Sequence, residues 1–156
     1  MSNFQREGSI SNAHVGHAFE LRAKAVLEAH GLALELNHKV LCGLGENRKK
    51  HAFDLGSEEP KVIVECKSQT WTSGGNVPSA KMKNWAEAMF YFHMAPVEYR
   101  KIFFVERSLR TGREETLLGY FLRTQAHMIP ADVELWELDQ SSDALDIYQE
   151  KNHGRG

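Results

Sequence analysis

Three ionisable residues stand out by type and spacing: Asp54, Glu65 and Lys67. The run Lys61-Val62-Ile63-Val64-Glu65-Cys66-Lys67 is short and apolar and ends in an acid and a base two residues apart. In a strand, Ile63, Glu65 and Lys67 project to one side and Val62, Val64 and Cys66 to the other. A carboxylate and an ammonium on an inner run need each other, a metal ion, or both. Residues 51–55 read as a second strand, and Gly56-Ser57-Glu58-Glu59-Pro60 as a turn-rich link. A hairpin folded about Glu58 sets Asp54 across from Val62 or Ile63. The Ile63 register places it on the Glu65/Lys67 face with Glu65 as its diagonal neighbour, about 7 Å away or less. A slip of one residue would turn Asp54 to the other side. Two carboxylates about 5 Å apart, at an effective dielectric of about 20, repel by about 3 kcal/mol. Either a cation sits between them or one keeps its proton. Hard oxygen donors with an open side favour Mg²⁺, held by few protein groups and water.

These residues need a sheet to hold them, and the chain has the material for one. It has 156 residues, 42% hydrophobic and 26% charged, with a formal charge of -2. That suits a single soluble domain burying roughly 70% of its unfolded surface. No apolar run approaches ~18 residues and the N-terminus lacks a signal-peptide core, so an intracellular, cytoplasmic protein is expected, away from membranes. Cys42 and Cys66 both fall in predicted strands, which points to buried free thiols. The near-neutral charge argues against a nonspecific polyanion binder, so the placement of charge matters more than its sum.

The first helix is predicted from about Ser9 or Ser11 to His30, with Val15, Ala18, Phe19, Ala23, Val26 and Leu27 as its stripe and Gly31 ending it. Residues 1–10 form a loose arm in this reading, 11–139 a single domain and 140–156 a polar tail with a brief helical stretch near Ala144 to Gln149. Leu34 to Cys42 is a strand, and the basic run Arg48-Lys49-Lys50-His51 leads into the Asp54 strand. By default such a run is a solvated loop, but its position flanks the carboxylates and suits phosphate contact. Beyond Lys67, Gln69 and Trp71 share the Glu65 face if the strand continues. The Gly74-Gly75 segment reads as a mobile loop suited to substrate contact. Trp71 could stack on a base, against the ordinary reading of a core tryptophan. A second helix, Ser79 to Met94, carries Met82, Trp85, Ala86, Met89, Phe90 and His93 as its inward stripe, and Lys81 and Lys83 near its start could reach phosphate. Lys101 to Glu106 is an interior strand. Arg107, Arg110 and Arg113 form a second basic group, solvated by default and facing nucleic-acid backbone in the alternative. Thr111-Gly112-Arg113-Glu114 reads as a capping box for a third helix, and Val133 to Leu138 as a last strand.

The Asp54 … Glu65-Cys66-Lys67 constellation, with Gln69 two residues on, resembles the PD-(D/E)xK phosphodiesterase superfamily with its restriction-endonuclease-like fold. The predicted order agrees with its α-β-β-β-α-β core, an α/β architecture with a mixed central sheet flanked by helices. The match covers about Ser11 to Val105, with a C-terminal helix and strand added. One departure is Phe53 where that superfamily usually has proline before the aspartate. The resemblance implies a Mg²⁺-dependent endonuclease, Mn²⁺ substituting, that acts on nucleic acid, DNA in the first instance, and leaves a 5′-phosphate. Asp54, Glu65 and the Cys66 backbone carbonyl would hold the ion. Glu20 would join from the first helix, although a solvated glutamate paired with Lys24 is the plainer reading. Lys67 would orient water and stabilise the transition state, and Gln69 would position water or backbone.

Other readings compete. A nucleic-acid-binding or protein-interaction module could keep the fold without turnover, although the joint presence of Asp54, Glu65 and Lys67 argues against it. Glu65 and Lys67 could form only a structural ion pair. His14, His17 and Glu20 could hold a transition metal, but spacings of three drift around a helix. Restriction, repair, resolvase and mobile-element roles all stay open. A chain of this length would gain specificity from loops, a partner or a homodimer, C₂ symmetry serving double-strand cutting.

Overall fold

Alternating apolar segments build a six-stranded mixed sheet whose spatial order follows the sequence. The computed structural model describes residues 2–148, with side chains described from residue 13 onward. The strands are β1 (Glu35–Cys42), β2 (Lys49–Glu58), β3 (Lys61–Lys67), β4 (Arg100–Glu106), β5 (Val133–Leu138) and β6 (Leu145–Tyr148). β1, β2 and β3 form an antiparallel meander, β3, β4 and β5 run parallel, and β6 returns antiparallel on β5. The parallel steps need crossovers, supplied by α2 (Ser79–Met94) and α3 (Leu117–Gln125). β4 lies in mid-sheet and is buried from Lys101 to Val105, as a strand covered on both faces must be.

Each face carries its own core. Trp85, Met89 and Phe92 of α2 and Leu117, Leu118 and Phe121 of α3 pack with Ile63, Phe103 and Val105. Phe19, Ala23 and Leu27 of α1 (Ser2–Ala29) pack on the opposite face with Val62, Val64, Ile102 and Phe104. α1 stops where Gly31 adopts φ +87° and the Leu32 N–H reaches back to the Leu27 carbonyl at 2.9 Å, a Schellman closure. Cys42 and Cys66 are free, buried and on opposite faces. Among the described residues no helix is long and apolar enough to cross a membrane.

Several sequence-based expectations change. α1 begins at Ser2, so most of the predicted arm is helical backbone. The inward stripe of α2 is Trp85, Ala88, Met89 and Phe92, which leaves Phe90 51% exposed. α3 is capped by Thr116, whose hydroxyl accepts the Gly119 N–H at 3.0 Å, five residues beyond the start of the predicted box. The tail contributes β6 in place of a helical stretch, because the alternation of Leu145 and Ile147 lets both pack on the α1 side. Residues 149–156 of that tail lie outside those described.

Candidate active site

The hairpin that carries the acidic residues turns at Glu59-Pro60, one residue later than a fold about Glu58. Glu58 and Lys61 face each other across the turn, with Lys61 Nζ 2.9 Å from Glu58 Oε1, and Tyr99 and His38 also bond the Glu58 carboxylate. Leu55 therefore pairs with Val64 and Gly56 with Ile63. One step further along this register sets Asp54 beside Glu65 itself, a shift of two from the predicted diagonal. Asp54 lies close enough to Glu65 to be raised by its charge.

Asp54 also marks a break in β2. Phe53 belongs to the core on the α2 side, whereas Leu55, two residues on, belongs to the core on the α1 side. A regular strand would give both the same face. On β1 the break falls at Asn37, which has φ +53°, a conformation asparagine tolerates better than most residues. The β1–β2 ladder runs Leu36–Leu55 and then His38–Phe53, skipping Asn37 and Asp54. The described β2–β3 ladder likewise ends at Leu55–Val64. There the Asp54 side chain takes over: its Oδ2 accepts the Cys66 N–H at 2.8 Å.

Burial and negative neighbours accumulate at this point. Glu65 is buried, and its Oε1 has no hydrogen-bond partner. Burial first, then the charge of Glu65 and that of Glu20, push the Asp54 carboxyl up to about 7, against the pull of the Cys66 N–H and Lys67. Glu20 projects from α1 toward the pair. Burial raises its carboxyl and Glu65 adds to the rise, while His17, 3.8 Å away, opposes it. Lys67 ends β3, half-buried, two residues from Glu65 and so on the same side. The Cys66 N–H is the group that bonds Asp54. The Cys66 thiol lies in the α1-side core, pushed well above the ordinary thiol range by burial and then by the nearby carboxylates.

The sequence puts His51 beside the site as the end of a basic run, and the structure sets it against Glu65 itself. Its Nε2 is 3.5 Å from Glu65 Oε1, too long for a firm hydrogen bond, and both atoms are buried without a hydrogen-bond partner. The ring stacks on Tyr91 of α2, centroids 3.6 Å apart, and meets Phe53 edge-on at 4.7 Å. The i, i+2 spacing of His51 and Phe53 on one strand was the available signal.

Gln69 lies beyond β3, where its Oε1 accepts the Trp85 Nε1–H at 2.9 Å. Its amide nitrogen is left as the group able to act elsewhere. Gln69 and Lys81 line one cleft of about 710 Å³, and exposed Lys83 borders another opening beside Tyr120 and Phe121. Arg48, Lys49 and Lys50 are exposed along a cleft of about 860 Å³ that also includes His51. Trp71 is core: it is buried, its Nε1–H bonds the Ser108 carbonyl at 2.9 Å, and the Arg110 guanidinium covers its ring at 4.5 Å. That leaves no free platform for a base. The Gly-rich segment is also pinned, since Gly75 takes φ +75° in a turn closed onto Thr72 and its carbonyl accepts Arg110 Nε–H at 2.8 Å.

Among the described residues, no three histidine, cysteine, aspartate or glutamate side chains close on one point as a ready metal cage. Mg²⁺ does not require such a cage, because it keeps several waters and is commonly held by one or two carboxylates plus substrate oxygens. Two hard oxygen donors, one with a buried unbonded oxygen and the other pushed up to about 7 by burial and then by its acidic neighbours, fit that need. Comparison of the chain with protein-family models, with curated proteins and with solved structures returns no match in any of the three.

Proposed function

We propose that the chain is a metal-dependent nuclease hydrolysing phosphodiester bonds in nucleic acid, DNA in the first instance, on a restriction-endonuclease-like fold. The observation that carries this reading is the joining of Asp54 to the Glu65-Cys66 peptide where β2 parts from β3, with Asp54 pushed up to about 7. Carboxyls forced together under burial have a use when a cation is to be shared. The order of helix, antiparallel meander, crossover helix and parallel strand also accords with the resemblance.

Asp54 and Glu65 would hold Mg²⁺ or Mn²⁺, with Glu20 joining directly or through water. The ion, when bound, offsets charge on the phosphate oxygens and lowers the pKa of coordinated water. The chain's own groups supply the rest. Lys67 brings positive charge to the Glu65 side of the sheet, where it would orient the attacking water and stabilise the crowded phosphate. Gln69, its carbonyl engaged by Trp85, would direct its amide N–H groups at phosphate or water. The Cys66 N–H keeps Asp54 aimed at the site.

The test is digestion of supercoiled, linear, single-stranded and branched DNA by purified protein in Mg²⁺ and in Mn²⁺. Cutting that disappears in Lys67→Ala and Asp54→Asn, both still folded, is the expected result. Equal cutting by highly purified Asp54→Asn would refute the assignment. Metal uptake and DNA binding without cutting would leave a binding module.

A further inference from the structure

We infer that the cleft between the 43–51 segment and the C-terminal half of α2 binds an unpaired nucleic-acid strand, its phosphates on Lys49 and Lys50 and a base on Phe90. This deepens the nuclease reading and rests on it for the choice of polymer. The cleft is about 860 Å³, far more than an ion needs, and His51 on its wall stands 3.5 Å from Glu65 Oε1. A ligand lying in it therefore borders the candidate active site.

Its rim is a built feature. A side chain at Gly43 would place Cβ 2.4 Å from the Asn47 carbonyl oxygen, so the chain can turn there only with glycine. The Gly43 N–H donates to the Met94 carbonyl at 3.1 Å, fixing the rim to the end of α2. Arg48 Nε–H bonds the Gly45 carbonyl at 3.2 Å and braces the loop from within. Lys49 and Lys50, both exposed, then project at the start of β2. In a chain of formal charge -2 this concentration of cations is local, and Glu46 is the one acid among the cleft residues.

Phe90 decides between kinds of ligand. It lies on the same cleft and is 51% exposed, on a helix that buries Trp85 and Phe92 completely. Leu44, on the facing rim, is 64% exposed. A duplex hides its base faces and offers this surface phosphates only, which would leave Phe90 without a partner. An unpaired strand offers both the charge and a π-face, the combination that single-strand binders use. A protein or lipid partner would call for a contiguous apolar patch, which the cations interrupt.

Binding is measured by fluorescence anisotropy in EDTA, where no metal-dependent cutting can occur. The probes are labelled oligothymidylate and oligouridylate of about 20 nucleotides and a duplex of the same length. One or both unpaired strands should bind at least about tenfold tighter than the duplex, the better one identifying DNA or RNA as the polymer. The Lys49→Glu/Lys50→Glu variant should lose about tenfold or more on every probe. Phe90→Ala should lose about fivefold or more on the unpaired strand and little on the duplex. All three side chains are exposed, and thermal unfolding confirms that the variants are folded. Tighter duplex binding, or unpaired-strand binding unchanged in Phe90→Ala, overturns the inference. Preferential unpaired-strand binding without cutting in Mg²⁺ would sink the nuclease reading and support this one. Cutting without that preference would do the reverse.

Discussion

Asp54 Oδ2 accepts the Cys66 N–H at 2.8 Å, and it does so where the described ladder between β2 and β3 ends. A side chain thus does the work of a backbone carbonyl. The substitution satisfies a donor beside Glu65 and brings a second carboxyl to that residue. Burial and the like charges then lift Asp54 to about 7. A cluster of acids held in this state opposes folding when ionised, so its energetic signature is open to measurement in the absence of any substrate.

Asp54→Asn should stabilise the chelated protein at about pH 8. The folded carboxyl titrates near 7 and the unfolded one near 3.8, so between these values the folded chain holds a proton that the unfolded chain lacks. The contribution of Asp54 to stability is therefore most favourable at the acid end of that window, declines as pH rises through it, and reaches its full unfavourable value above about 7. Because the burden is shared with Glu65 and Glu20, a gain on the order of 2 kcal/mol at about pH 8, shrinking toward nothing near pH 4, is expected. Urea unfolding across that range measures it. A variant less stable than the parent at pH 8 would contradict the origin assigned to the shift.

Divalent cation should reverse the same burden. At about a hundredfold excess over the dissociation constant, Mg²⁺ or Mn²⁺ binding to the folded chain alone adds about 2.7 kcal/mol. The melting temperature of the parent protein should rise accordingly at pH 8, and calorimetry should register uptake. Glu65→Gln and Asp54→Asn should abolish both responses, and Glu20→Gln should weaken them. Identical melting shifts in the parent and the Glu65→Gln protein would show that the ion binds elsewhere.

Gln69→Leu should destabilise by about 1–3 kcal/mol by stranding the buried Trp85 N–H. Gln69→Glu keeps the acceptor and should restore most of that stability while removing the amide donors. A role at the site predicts that Gln69→Glu, although folded, cuts more slowly than the parent. Equal rates would confine Gln69 to supporting Trp85.

Arg110→Ala removes the bond to the Gly75 carbonyl and the cover over Trp71 together. A loss of about 1–2 kcal/mol is expected, with faster protease cleavage at residues 72–76 read by mass spectrometry. Nucleic-acid cutting should fall far less than in Lys67→Ala. An unchanged cleavage pattern would show that the turn is held by its own backbone bonds.

The amino-acid order by itself determined that the three helices and all strands but the short β6 exist, though not where each begins, because periodicities of two and of 3.6 are local properties of the chain. It also determined that Asp54, Glu65 and Lys67 could share one side of a sheet, since that needs only alternation and a hairpin. The tertiary structure decided what alternation cannot express. The hairpin slid by two residues, because the pairing of Glu58 with Lys61 set the turn. A break in β1 and β2 at Asn37 and Asp54 released the carboxyl to β3. Phe90 left its expected buried place while Trp71 took the ordinary core one, since which aromatic is buried depends on how α2 rotates over the sheet and on what Arg110 covers. His51 joined Glu65 because Tyr91, forty residues later, holds its ring in place. Each of these rests on contacts between residues distant in sequence, which no local spacing records.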